Sequence, residues 1–117
     1  LKKQKMSNLE REQLLNEFIR EEPNNPFNYY ALALEIKEKD QEKAIQLFDF
    51  IHLTFPDYLP QYYPSAQFFF ELSQIHKAKT LYLAGIQLAK AKNEAKALRE
   101  LQNAYQNFLF ETDLEED

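Results

Sequence analysis

Ala44, Phe48 and Ile51 recur 34 residues later as Ala78, Tyr82 and Gly85, and this period constrains the chain more than any other feature. A second set recurs 33 residues apart, Tyr29-x2-Leu32-Ala33-x2-Ile36 against Tyr62-x3-Ala66-x2-Phe69. The two offsets differ by one, so the turn at Lys39-Asp40 is one residue shorter than its counterpart. Pro56 follows Pro23 by 33 residues, and an upstream half-copy, Leu15-x2-Phe18-x4-Pro23, parallels Phe48-x2-Ile51-x4-Pro56. Within each copy, large and small residues alternate at helical spacing in two blocks. Two helices cross closely only where one lacks a bulky side chain. A small residue at 66 or 85 permits that crossing, and aromatics at 62, 69 and 82 fill the space beside it.

The second copy reads Tyr62-x3-Ala66-x2-Phe69-x8-Ala78-x3-Tyr82-x2-Gly85. It resembles a tetratricopeptide repeat (TPR), a 34-residue helix–turn–helix with Trp-x2-Leu-Gly-x2-Tyr, then Ala-x3-Phe, then Pro. Tyr62 takes the Trp position, Ala66 the Gly, Phe69 the Tyr, Ala78 the Ala and Tyr82 the Phe. Ser65 stands where Leu is usual and Lys90 where Pro is usual. The resemblance covers residues 10–110 and implies a small, bacterial-type two-repeat domain. The fold it implies is all-α: antiparallel helix–turn–helix repeats in an α–α superhelix of about six helices, closed by a C-terminal capping helix. On that basis residues 1–117 form one domain. Its parts are a half-repeat helix at 7–22, repeats at 26–57 and 58–92, and the cap at 94–110.

Composition agrees. A length of 117 residues suits one domain, and a single Gly amid many Ala, Leu, Lys, Glu and Gln favours helix over sheet. Helical repeats bury surface only against their neighbours, so about three units are usual for stability. Two repeats with flanking helices just meet that. No cysteine is present, which excludes a disulfide scaffold, a thiolate metal site and a Cys nucleophile, and is compatible with the reducing cytoplasm. No apolar run approaches the ~18 residues of a membrane span. The basic stretch Leu1–Lys5 lacks the apolar region of a signal peptide, and Met6-Ser7 has the form of a translation start. A net charge of −5 without a basic stripe argues against nucleic acid as a partner.

Taken in order, Ser7-x2-Glu10 has the form of a capping box, and the helix after it carries Leu14, Leu15, Phe18 and Ile19 on one face. Asn25-Pro26 opens a second helix over 26–38, with Asn25 as cap and Pro26 at a position whose missing N–H costs nothing. A third spans 41–54, burying Ala44, Leu47, Phe48 and Ile51. A fourth spans 60–73, with Pro64 demanding a local kink or a late start. The fifth covers 75–91 and directs Ala78, Leu81, Tyr82, Gly85, Leu88 and Ala89 inward. Beyond Asn93, a weak break, the sixth spans 94–110 with Leu98, Leu101, Tyr105 and Phe108 on one face. Its polar face, with Glu94, Lys96, Arg99 and Glu100, suits a terminal helix. Thr112 to Asp117 reads as a short, frayed acidic tail.

No catalytic constellation is present. His52 and His76, the only histidines, fall in different helices without paired carboxylates, so no metal site is expected. A single Gly rules out a Gly-rich phosphate loop, and Ser7, Ser65 and Ser73 lack a nucleophile-elbow context. No cofactor is implied. Acidic and basic residues at helical spacing, such as Glu35-Lys39 and Glu38-Glu42-Lys43, read as solvated faces.

In the TPR family the first helix of each repeat lines a concave groove that binds a partner peptide. Carried over, the resemblance implies groove positions at Phe27, Tyr30, Leu34 and Lys37 in the first repeat. In the second they are Tyr63, Gln67 and Phe70, with Glu71 a further candidate. Helical geometry separates the same residues: Tyr29, Leu32, Ala33, Ile36, Tyr62, Ala66 and Phe69 are committed to packing, so Tyr30, Leu34, Tyr63 and Phe70 point elsewhere. Three arrangements use such aromatics: a terminal helix folding over them, a homodimer burying them, or a protein or peptide partner occupying the groove. The acidic tails that some TPR domains clamp require Lys, Arg and Asn in the groove, and only Lys37 matches. The chain therefore reads as a non-enzymatic interaction module, with structural self-association as the alternative.

Overall fold

Capping side chains set several of the helix boundaries in the computed structural model, which describes residues 7–114. Leu1–Lys5, Met6 and the last three residues of the acidic tail lie outside the described residues. Among the described residues there are six α-helices and no strand: α1 (Asn8–Glu21), α2 (Pro26–Ile36), α3 (Gln41–Thr54), α4 (Tyr62–Glu71), α5 (Ile75–Ala91) and α6 (Ala95–Thr112). Residue contacts divide them between Tyr58 and Leu59 into a first unit with α1–α3 and a second with α4–α6.

In the first unit, the Ser7 hydroxyl accepts the Glu10 N–H (3.1 Å), Asn25 accepts that of Phe27 (3.1 Å) and Asp40 accepts that of Lys43 (3.2 Å). Each meets a backbone donor that the first helical turn leaves free. α2 packs on α3, and Leu32, Ala33, Ile36, Ala44, Phe48 and Ile51 are buried. Burial of each of the four larger side chains stabilises by about 1.5–3 kcal/mol. Tyr29 closes the hairpin's open end, with its ring 4.9 Å from Phe50 and 6.0 Å from Phe55. Its hydroxyl donates to the Pro23 carbonyl (2.8 Å).

α1 lies against α2 with no fully buried residue. Leu14, Leu15 and Ile19 are half-buried, and Phe18 stays exposed. Charge pairs complete the attachment. Arg11 Nε donates to Glu35 (2.5 Å), and Glu12 meets Lys39 (2.5 Å) and Lys43 (3.7 Å). Glu35 and Lys39, expected as a solvated pair within one helix, thus have partners on α1.

The second unit opens with a 3₁₀ turn at Leu59–Gln61, and α4 follows. Pro64 falls in the first turn of α4, where its missing N–H is tolerated. A late helix start therefore accommodates it, and the expected start at residue 60 moves to Tyr62. α4 packs on α5 and α5 on α6, burying Tyr62, Ala66, Phe69, Ala78, Leu81, Tyr82, Leu101, Tyr105 and Phe108. Leu88, expected inside, is half-buried, while Ile86 is buried. At Gly85 a Cβ would stand 2.7 Å from the Tyr62 Cβ and 3.2 Å from both δ carbons of Leu101. No side chain fits there without a shift, so this glycine sets how closely α5 approaches its neighbours.

The turns show where the one-residue offset goes. After α4, Ser73 is left-handed (φ 62°), with Ser73 N–H bonded to the Phe70 carbonyl and Gln74 N–H to that of Phe69, both at 2.9 Å. This paired pattern is a Schellman cap. Asn93 (φ 57°) repeats it after α5. The shorter turn after α2 has no left-handed residue; α2 ends at Ile36, two residues before the expected end, and Asp40 N–H bonds back to the Ile36 carbonyl (2.8 Å). α6 runs on to Thr112, so the expected tail begins inside a helix.

Candidate functional site

The second unit contains a cleft of about 330 Å³. Tyr63, Gln67, Phe70 and Glu71 line it from α4, and Ala104, Asn107, Phe108 and Glu111 from α6. These positions recur at intervals of three and four, which places each set on one face of its helix. α5 contributes only Tyr82 to the lining. The volume lies at the small end of the range of about 300–1,000 Å³ for ligand clefts, room for a side chain or two rather than a folded element.

Aromatic contacts hold the walls. Phe70 meets Phe108 edge-to-face across the two helices, with centroids 5.2 Å apart at 82°. Phe108 lies 5.3 Å from the Tyr82 ring. Phe70 is thereby half-buried while Tyr63 remains 40% exposed and Gln67 exposed. Burial pushes the Tyr82 hydroxyl up to about 12, and Tyr63, Glu111 and Glu71 add to the rise. The rim carries the Gln67 and Asn107 amides and the Glu71 and Glu111 carboxylates, and none of the lining residues is basic.

In the first unit the candidate positions fall on α2 and its C-cap. Phe27 is 54% exposed, while Tyr30, Leu34 and Lys37 are half-buried. Tyr30 packs edge-to-face on Tyr58 at 5.7 Å, and burial raises its hydroxyl pKa. The structure thus brings Tyr63, Gln67 and Phe70 to one cleft, with Glu71 beside them, and leaves the α2 residues in their own unit. Of the arrangements open to these aromatics, a terminal helix lying against them is realised in part, since Phe108 of α6 covers one side of Phe70. The α6 residues themselves were not read as a wall, although Ala104, Asn107, Phe108 and Glu111 show the same three- and four-residue spacing. Tyr82, expected only as a packing residue, is buried and also lines the cleft.

Among the described residues, no group of three acidic or His side chains could hold a metal ion, and no helix is long and apolar enough to cross a membrane. No protein-family model and no curated protein matches the chain. Solved structures do. The solution NMR structure of a tetratricopeptide repeat domain protein from Salinibacter ruber is 34% identical, with a TM-score of 0.68, covering 74% of this chain and 88% of that one. The crystal structure of a tetratricopeptide repeat domain protein from the same organism gives 34% identity and a TM-score of 0.66, covering 72% and 96%. With the period of the sequence, the all-helical hairpins and these likenesses in agreement, the chain belongs to the tetratricopeptide repeat family.

Proposed function

We propose that the protein is a non-enzymatic interaction module that receives a partner peptide in the α4–α6 cleft. The observation that carries this is the convergence of Tyr63, Gln67 and Phe70 with the α6 residues on one open, aromatic concavity. Exposed aromatic area beside hydrogen-bonding amides is the usual composition of a binding anchor site. On α2, Phe27, Tyr30, Leu34 and Lys37 take the corresponding part in the first unit. The test selects peptides from a random phage-displayed library on the full chain and maps each by amide NMR. Perturbations at the Gln67 and Asn107 side-chain amides, lost in Tyr63→Ala, support the reading. Peptides that map elsewhere refute it. Light scattering across a concentration series separates the alternative: a tight dimer whose dissociation exposes Tyr63 and Phe70 would assign this surface to self-association.

A further inference from the structure

We propose that the group entering the α4–α6 cleft is cationic, the ammonium or guanidinium of a lysine or arginine on the partner segment. This rests on the reading that the cleft receives a partner segment, and it names the chemistry of the residue that enters.

The two walls each carry one carboxylate, Glu71 on α4 and Glu111 on α6, and both line the same concavity. Among the described residues neither has an ion-pair partner, and the lining contains no Lys or Arg. The same lining carries aromatic residues, with Tyr63 the exposed one, and an aromatic face attracts a cation within about 6 Å of its centroid. The Gln67 and Asn107 amide oxygens supply neutral acceptors for the remaining N–H groups. Glu71 and Glu111 both add to the rise of the Tyr82 hydroxyl pKa. A field that resists a further negative charge at this position favours a positive one.

The alternatives fit less well. An acidic side chain would meet two like charges. A purely apolar one would cover the carboxylates and return nothing for their lost hydration. Selectivity thus comes as much from what the cleft rejects as from what it attracts.

The experiment titrates the ¹⁵N-labelled full chain with three probes of similar size, the N-acetyl methylamides of lysine, norleucine and glutamate. Shifts are read at the Gln67 and Asn107 side-chain amides. The lysine probe should shift both saturably and bind at least about tenfold more tightly than the norleucine probe, through two carboxylates and the ring faces together. In the Glu71→Gln, Glu111→Gln double variant the preference should fall to within about twofold, as expected when a charge term is removed. Both glutamates are exposed, so the fold should survive; unchanged backbone shifts elsewhere verify this.

Equal affinity for the lysine and norleucine probes overturns the proposal, and so does preference for glutamate. If the norleucine probe still maps to the cleft, the groove reading survives that failure. Silence of all three probes while a selected peptide binds at Gln67 and Asn107 also overturns the cationic assignment alone. Selected peptides that map elsewhere bring down the groove reading as well.

Discussion

Gly85→Ala sets two known effects against each other. In a helix interior Ala is favoured over Gly by about 0.8–1.0 kcal/mol. Against this, the new Cβ would stand 2.7 Å from the Tyr62 Cβ and 3.2 Å from both Leu101 δ carbons. The leucine methyls end a side chain that can rotate. The Tyr62 Cβ is bonded directly to the backbone of α4, so reaching an ordinary carbon contact of about 3.5–4.0 Å requires the helices to separate by roughly 1 Å. Overpacking a core costs about 1–3 kcal/mol, and moving a whole helix belongs at the upper end. The net expectation is a loss of about 2 kcal/mol. Urea unfolding followed by far-UV circular dichroism measures it, with the midpoint lowered and the slope unchanged. The melting temperature should fall by about 8 °C. A double-mutant cycle isolates the cause: with the Tyr62 Cβ removed by Tyr62→Gly, the same alanine should become neutral or stabilising. A Gly85→Ala protein as stable as the parent, or more so, would refute the argument, because helix propensity would then have outweighed the contact.

Other perturbations test other parts of the structure. Ser73→Gly relieves a left-handed serine (φ 62°) and should stabilise by about 0.5–1 kcal/mol in thermal melts. The Arg11 hydrogen bond is the main cause holding the Glu35 carboxyl below its ordinary value. A depressed folded value means that this contribution is present above the carboxylate's unfolded value and is lost as the pH falls through the folded one. Carboxyl NMR titration of Arg11→Met should show the Glu35 value moving back up. Tyr63→Ala removes an exposed ring, so stability should change by less than about 0.5 kcal/mol while affinity for a cleft-binding peptide falls at least about fivefold.

The packing half of this architecture was legible in the chain and the pairing half was not. Tyr62, Ala66, Phe69, Ala78, Tyr82 and Gly85 are buried where the period places them, because helical spacing alone decides which residues share a face. Ser65 departs from the family pattern, yet it is buried with its hydroxyl donating to the Tyr62 carbonyl (3.3 Å). Composition could not announce that satisfaction. Glu35 and Lys39 sit at a spacing that suits a pair, and the Lys39 charge does help lower the Glu35 carboxyl, yet their ion-pair partners are Arg11 and Glu12, set by how α1 lies on its neighbours. The cleft followed the same division. Its α4 wall could be inferred from the residues that packing leaves over, while Asn107 and Glu111 became site residues only once α6 had a position opposite α4. Helix ends were read least well, since the halts at Ile36 and Glu71 depend on how each turn routes its hydrogen bonds.

The manner in which α1 is attached has a consequence for motion. A segment held by half-buried side chains and surface charge pairs has a small opening free energy, well below that of helices with buried faces. Its amides should be among the first in the described chain to exchange with deuterium, while those of α5 outlast them. The screening length shrinks to about 3 Å in 1 M salt, so added salt should speed exchange in α1 and leave α5 nearly untouched. The three ion pairs thus make the detachment of this one helix adjustable by the ionic medium, while the hairpin it rests on is governed by burial.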